Sequence, residues 1–269
     1  MAEPIPAPFA WPEFKGPSSA VIKAPKTWQD EAILVPHECI RWWSKELKLC
    51  LKNFDAAPGN EWKTEVIFKF INNYYGDCVH HHHDSEEKIY NPWLEGIIKR
   101  PVDTSIKPDL QEHKQLMEIL SGLGAYKDKI LQAPFEERDQ HVTAFKHTMF
   151  ELFDLLDAHF ECEEKSYPIA LHEAKVTQEE DAAKVGEILQ SIGLSGNKKF
   201  LPAVLYTMCE WKGQQAAFDF FANQVPPPVQ WMCKMSWIND FYHNQLMVLE
   251  ALKTDTPPPQ SASCECTLM

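Results

Sequence analysis

The sequence predicts an all-α protein: an up-down four-helix bundle over residues 27–175, followed by a helical extension over 176–252. Three observations carry that expectation. Apolar residues recur three or four apart through long stretches, the period of helices that bury one face. Strand-like alternation of useful length is missing from the sequence. Proline- and glycine-bearing breaks cut the chain into segments that short loops can join as antiparallel neighbours.

Residues 1–26 carry Pro4, Pro6, Pro8, Pro12, Pro17 and Pro25, a density that excludes regular helix, so an extended arm is expected there. Thr27 with Asp30 reads as a capping box, opening a first helix to about Phe54. Its stripe is Ile33, His37, Ile40, Trp43, Leu47, Leu51 and Phe54. Pro36 should kink or restart it. The run Ala56-Ala57-Pro58-Gly59 ends the element.

A second helix is expected from about Asn60 to Trp93, with two competing faces. One reads Ile71, Tyr75, Cys78, His82, Glu86, Ile89, Trp93; its neighbour reads Val79, His83, Glu87, Tyr90, Leu94. They lie about 100° apart, so only one should point at the centre. The first is longer and is preferred. A loop follows over 99–108, and Pro108-Asp109 opens a third helix with inward residues Leu110, His113, Met117 and Leu120. That helix closes at Gly122 and Gly124, continues through Tyr126, Ile130 and Leu131, and turns at Pro134. The fourth, about Glu137 to Leu171, has the stripe Phe145, Met149, Leu152, Leu156, His159, Glu163, Tyr167.

Beyond Gln178 the pattern stays helical over 182–192, 199–208 and 214–223. It breaks at Val225-Pro226-Pro227-Pro228-Val229 and resumes from Trp231 to Leu252. Residues 253–269 read as a polar, disordered tail. It ends in Cys266-Thr267-Leu268-Met269, which fits a C-terminal prenylation box with Met specifying farnesyl. Farnesylation of Cys266 would give reversible membrane attachment, and one lipid chain holds only marginally.

Composition narrows the function classes. A formal charge of −13 disfavours nucleic acid and anionic membrane surfaces as partners. The eight cysteines are scattered without a Cys-x-x-Cys pair, which suits a reducing, cytoplasmic compartment.

Each of the four expected bundle helices places a histidine within its apolar face: His37, His82 (alternatively His83), His113 and His159. The second and fourth add a carboxylate one turn on, Glu86 (alternatively Glu87) and Glu163, because positions four apart stack on one helix face. A single such pair is equally a solvated surface pair. Two pairs on alternate helices, each in phase with an apolar stripe, are harder to explain that way. Converging in a core, two unpaired carboxylates would each cost several kcal/mol, against a total stability of about 5–15 kcal/mol. Two metal ions bridged by the glutamates would remove that cost, and the imidazoles would complete each coordination shell. His141, His147, His172 and His243 fall off the stripes and read as surface residues.

The order His37, His82-x-x-x-Glu86, His113, His159-x-x-x-Glu163 resembles the hemerythrin-like, HHE cation-binding family. So does the run His80-His81-His82-His83-Asp84-Ser85-Glu86-Glu87 with Pro92 just beyond. The family's spacing to that proline implies His82 and Glu86 as ligands. The resemblance implies a non-haem centre of two iron ions bridged by carboxylates and able to meet O2 or NO, with manganese or zinc accepted by the same residue types. Two departures stand out. Met117 occupies the place where oxygen-carrying members have a second third-helix histidine, leaving four ligand histidines. The position of Pro168 leaves Glu163 open against Glu164. With no substrate motif, a protein that senses, stores or detoxifies through iron or a small ligand is expected rather than an enzyme. The alternatives are a di-iron oxidase or oxygenase, whose sites use more carboxylate and Glu-x-x-His spacing, and a helical interaction module with a degenerate site.

Overall fold

A computed structural model describes residues 27–102 and 111–258, and among these there is helix and no strand. The arm (1–26), the expected third-helix start at Pro108-Asp109 with Leu110, and the tail with Cys266 lie outside the described residues. No described helix is long and apolar enough to cross a membrane.

The first rod is α1 (Trp28–Lys52), capped as expected: the Thr27 side chain accepts from Asp30 N, and Asp30 accepts from Thr27 N. The helix continues through Pro36 without restarting. The proline stands in a helix whose inner face is fixed by Ile33, Leu34, His37 and Ile40. Tertiary packing therefore outweighs one missing backbone bond.

The second rod is one continuous helical run. It comprises α2 (Glu61–Phe70), a π turn (Ile71–Tyr75), α3 (Gly76–Ser85), a second π turn (Glu86–Tyr90) and α4 (Asn91–Ile98). A π turn closes its hydrogen bonds one residue later than an α turn, so it advances the buried face. The expected face Ile71, Tyr75, Cys78, His82, Glu86 is buried, but beyond Glu86 the core takes Tyr90 and Leu94 instead of Ile89 and Trp93. Val79 and His83 of the second face are buried as well, so both faces serve the core up to Glu86 and only the second does beyond the π turn.

The third rod is α5 (Gln111–Gly122) and α6 (Gly124–Gln132). Its fully buried residues are Leu116 and Leu123, with Ile130 almost so, while Met117 and Leu120 lie partly buried beside them. The fourth is α7 (Phe135–Ala174), whose expected stripe is buried throughout. Contacts fix the direction of each rod. Phe54 meets Phe145 while His37 meets Glu163, Ser44 bonds Tyr75 while His37 meets His82, and His83 meets His113 while Gly76 meets Leu120. Successive rods therefore run in opposite directions.

The extension folds back on this bundle. α8 (Gln178–Trp211) bends at Gly193, whose φ of 70° suits a residue without Cβ, and lies against α1 and α3. α9 (Gln214–Gln224) follows, then a run of α10 (Pro227–Met232), α11 (Ile238–Phe241) and α12 (Met247–Thr254) joined by two further π turns. α12 packs on α1 and α2, and Trp42 of α1 sits between Tyr206 and Phe241.

Candidate metal centre

The inward histidines and glutamates meet midway along the rods, in two groups that share Glu86. One group is His83, Glu86, His113 and His159; the other is His37, His82, Glu86 and Glu163, and within each the ligating atoms lie within 4.8 Å of one another. Glu163 touches both, 3.1 Å from His159 Nε2 and 3.2 Å from His37 Nε2. Five imidazoles thus surround two carboxylates. His37, His159 and Glu163 are fully buried, and His113, at 14% side-chain exposure, is the most open of the seven.

His82 and His83 belong to the cluster together, where the sequence set them as alternatives. Positions 100° apart on one rod straddle the bundle axis, so each serves a different group. His83 lies 4.9 Å from the His113 ring and 5.2 Å from that of His159. The structure thus gathers five histidines where four were expected, with His83 as the fifth. The signal was present in the sequence, since each histidine stacks one turn after an apolar residue (Cys78, Val79) and one turn before a glutamate (Glu86, Glu87).

Glu87 and Glu164 sit one layer out. Glu87 is half exposed and accepts from His113 Nδ1 at 2.8 Å. Glu164 accepts from His37 Nδ1 at 3.0 Å and pairs with Arg41, which also holds Glu38. His83 donates through Nδ1 to Val79 O at 2.8 Å. Bonds at Nδ1 fix the rings of His37, His83 and His113 and leave their Nε2 facing the centre. Phe160 stacks on His37 at 4.0 Å and closes that side.

Several central atoms lack any hydrogen-bond partner: Nε2 of His37, His82 and His83, and both carboxylate oxygens of Glu86 and Glu163. The nearest pairs are at ion-pair distance without hydrogen-bond alignment. Such a concentration of orphaned buried polar atoms is what a core avoids unless something binds there. The electrostatics agree. Burial, with Glu163 alongside, pushes Glu86 well above the usual carboxylate range. Burial would do the same to Glu163, but His159 and His37 hold it well below that range. Burial and neighbouring imidazoles push His82 far down and His83 down to about 3. Imidazoles and carboxylates around one point form a donor set for a borderline or hard divalent ion. The residues fit a metal pair.

A cavity of about 540 Å³ opens nearby between the second and third rods, lined by Gly76, His80 and Met117 among others. None of the seven central residues lines it.

An antiparallel helical bundle with histidines and glutamates turned inward defines a cation-binding helical protein. The family model Hemerythrin HHE cation binding domain matches residues 31–167, just over half of the chain, and the protein belongs to that family. No curated protein and no solved structure matches it.

Proposed function

We propose that this protein binds a pair of iron ions and uses them to sense, store or detoxify iron or a small ligand such as O2 or NO. The observation that carries the reading is the shared glutamate: two histidine groups meet at Glu86, with Glu163 within reach of both. One ion would be held by His83, His113 and His159, the other by His37 and His82, with Glu86 and Glu163 between them. Bound iron would supply reversible redox change and a coordination position for a diatomic ligand. The chain's own part is to hold His82 and His83 neutral, orient the rings of His37, His113 and His83 through Glu164, Glu87 and Val79, and exclude bulk water behind Phe160.

Protein loaded anaerobically with ferrous iron and then exposed to air is expected to retain two ions per chain and to gain charge-transfer absorption. Glu163→Ala should lose both ions, because its carboxylate faces both groups. His83→Ala should retain the ion on the His37 side and lose the other. Unchanged iron content in both variants would overturn the assignment.

A further inference from the structure

Each inward glutamate is followed one turn later by a tyrosine: His82-x-x-x-Glu86-x-x-x-Tyr90 on the second rod and His159-x-x-x-Glu163-x-x-x-Tyr167 on the fourth. Both tyrosines are buried, and their rings meet at 5.6 Å between centroids, at 62° to one another. They sit beneath the metal-binding layer, Tyr167 about 6 Å along the α7 axis from Glu163. Tyr90 is held there by the π turn that begins at Glu86. Its ring also meets Trp93 at 5.3 Å, and Trp93 is partly exposed under the ammonium of Lys184. Tyr167, Tyr90 and Trp93 therefore form an aromatic series that ends at the surface.

The two phenols have different partners. Tyr167 donates to the side-chain oxygen of Asn91, an amide that cannot take a proton. Tyr90 donates at 2.6 Å to the carboxylate of Asp181. Asp181 is itself buried, and it stands in the first turn of α8, beyond the residues that the family model covers. The capping box of Thr177 and Glu180 fixes that turn. A phenol gives up an electron readily only if its proton can leave at the same time. Tyr90 has a base in place to receive it, and Tyr167 does not.

We propose that Tyr90, paired with Asp181, is a one-electron redox site that serves the metal centre, with Trp93 as its exit to solvent. The proposal rests on the metal reading above. A bound metal oxidised by a peroxide would supply the one-electron oxidant. Tyr90 would give up one electron to that oxidant as its phenolic O–H bond breaks and its proton crosses to Asp181. The chain would then carry a neutral phenoxyl radical on Tyr90 and a neutral carboxylic acid on Asp181, the oxidant having taken up the electron. A one-electron reductant of the thiol or enediol class, acting at Trp93, returns the electron, and the proton goes back to the tyrosine. Oxidising equivalents thus leave by a set route instead of attacking the histidine ligands.

Iron-loaded, reduced protein mixed with hydrogen peroxide and frozen within milliseconds should show a tyrosyl signal by electron paramagnetic resonance, narrowed by ring-deuterated tyrosine. Tyr90→Phe should abolish that signal and Tyr167→Phe should keep it. Asp181→Asn should lose most of it and Asp181→Glu should restore it. Trp93→Phe should slow its decay on adding ascorbate. Iron content should stay unchanged in every variant, which separates this result from failure of the metal site. A signal that persists in Tyr90→Phe, or no signal in the iron-loaded parent protein, overturns the proposal. Flash photo-oxidation of the metal-free protein by a ruthenium sensitiser tests the pair without iron. It should place the radical on Tyr90 with a solvent deuterium isotope effect that Asp181→Asn removes, and a radical resting elsewhere counts against it.

Discussion

The imidazoles of the centre are set by what holds their far side. His37 carries Glu164 on Nδ1, and Glu164 is in turn anchored by Arg41, so a carboxylate and a guanidinium at the bundle surface fix a ring that has no exposure itself. Glu164→Gln keeps the volume and removes the charge that orients the ring. It should weaken metal affinity about 10–100-fold in competition against a chelator, with little change in fold. An affinity within error of the parent would show that Phe160 stacking alone positions His37. His83 gives a second, pH-dependent signature. Its folded value is about 3 against an ordinary 6.5, so between those limits the unfolded chain binds a proton that the folded chain does not. Stability of the metal-free protein should therefore rise with pH through that window and fall on acidification, by up to about 1.4 kcal/mol per pH unit for one such group. His82 acts with the same sign; Glu86, raised by burial and Glu163, acts against it above its ordinary 4.5, and His37, raised despite its burial by Glu163 and Glu164, acts against it above 6.5. Urea midpoints at pH 7 and pH 5 should differ in the parent and differ less in His83→Gln.

At the scale of the element, the π turns explain what the sequence showed and what it hid. The first and fourth rods follow a plain helical period, so Ile33 to Phe54 and Phe145 to Tyr167 could be read residue by residue. The second rod could be read only in part, because both stripes are buried as far as Glu86, at His82 and at Val79 and His83, and beyond the π turn the core keeps the second alone, at Tyr90 and Leu94. No composition signal marks such a turn. The same limit made His82 and His83 look exclusive, since the axis they straddle exists only once the other three rods are in place. Gly76 tests the first π turn. Alanine exceeds glycine in helix propensity by about 1 kcal/mol, which by itself would stabilise the rod. A Cβ at this position would lie 2.9 Å from the carbonyl oxygen of Ile71, the acceptor of the π bond, and 3.4 Å from Leu120 Cδ1. Backbone cannot move aside cheaply within a packed rod. Gly76→Ala should therefore destabilise the protein by about 1–3 kcal/mol in urea unfolding, the usual range for overpacking. A stabilised variant would mean that the π turn relaxes to α at no cost.

Over the whole molecule, the extension is as much a part of the core as the four rods it covers. Trp43 of the first rod packs on Phe200 of α8, the thiol of Cys50 approaches the carbonyl of Leu249 at 3.5 Å, and Lys253 reaches Glu46 at 2.7 Å. The sequence showed that aromatic helices follow the bundle, but not where they pack, because polar staples across some 200 residues leave no periodic trace. Lys63 is the most telling of these. Its side chain is almost wholly buried, yet its ammonium meets Asn53 O at 2.9 Å, Asp55 at 2.8 Å and Asp255 at 2.6 Å. It therefore joins the end of α1, the start of the second rod and the residue after α12. A buried cation with three acceptors is stable because each replaces a hydrating water. Lys63→Met preserves the packed stem and removes the charge. Asp55 and Asp255, both about half exposed, can recover water, so the loss should stay near 1–3 kcal/mol rather than the larger penalty of a stranded buried ion. Amide hydrogen exchange should show where it falls: faster in α12 and around Asn53, unchanged around His82 and His159. Uniform acceleration through the centre would mean that the closing contact of the extension and the metal layer unfold as one unit.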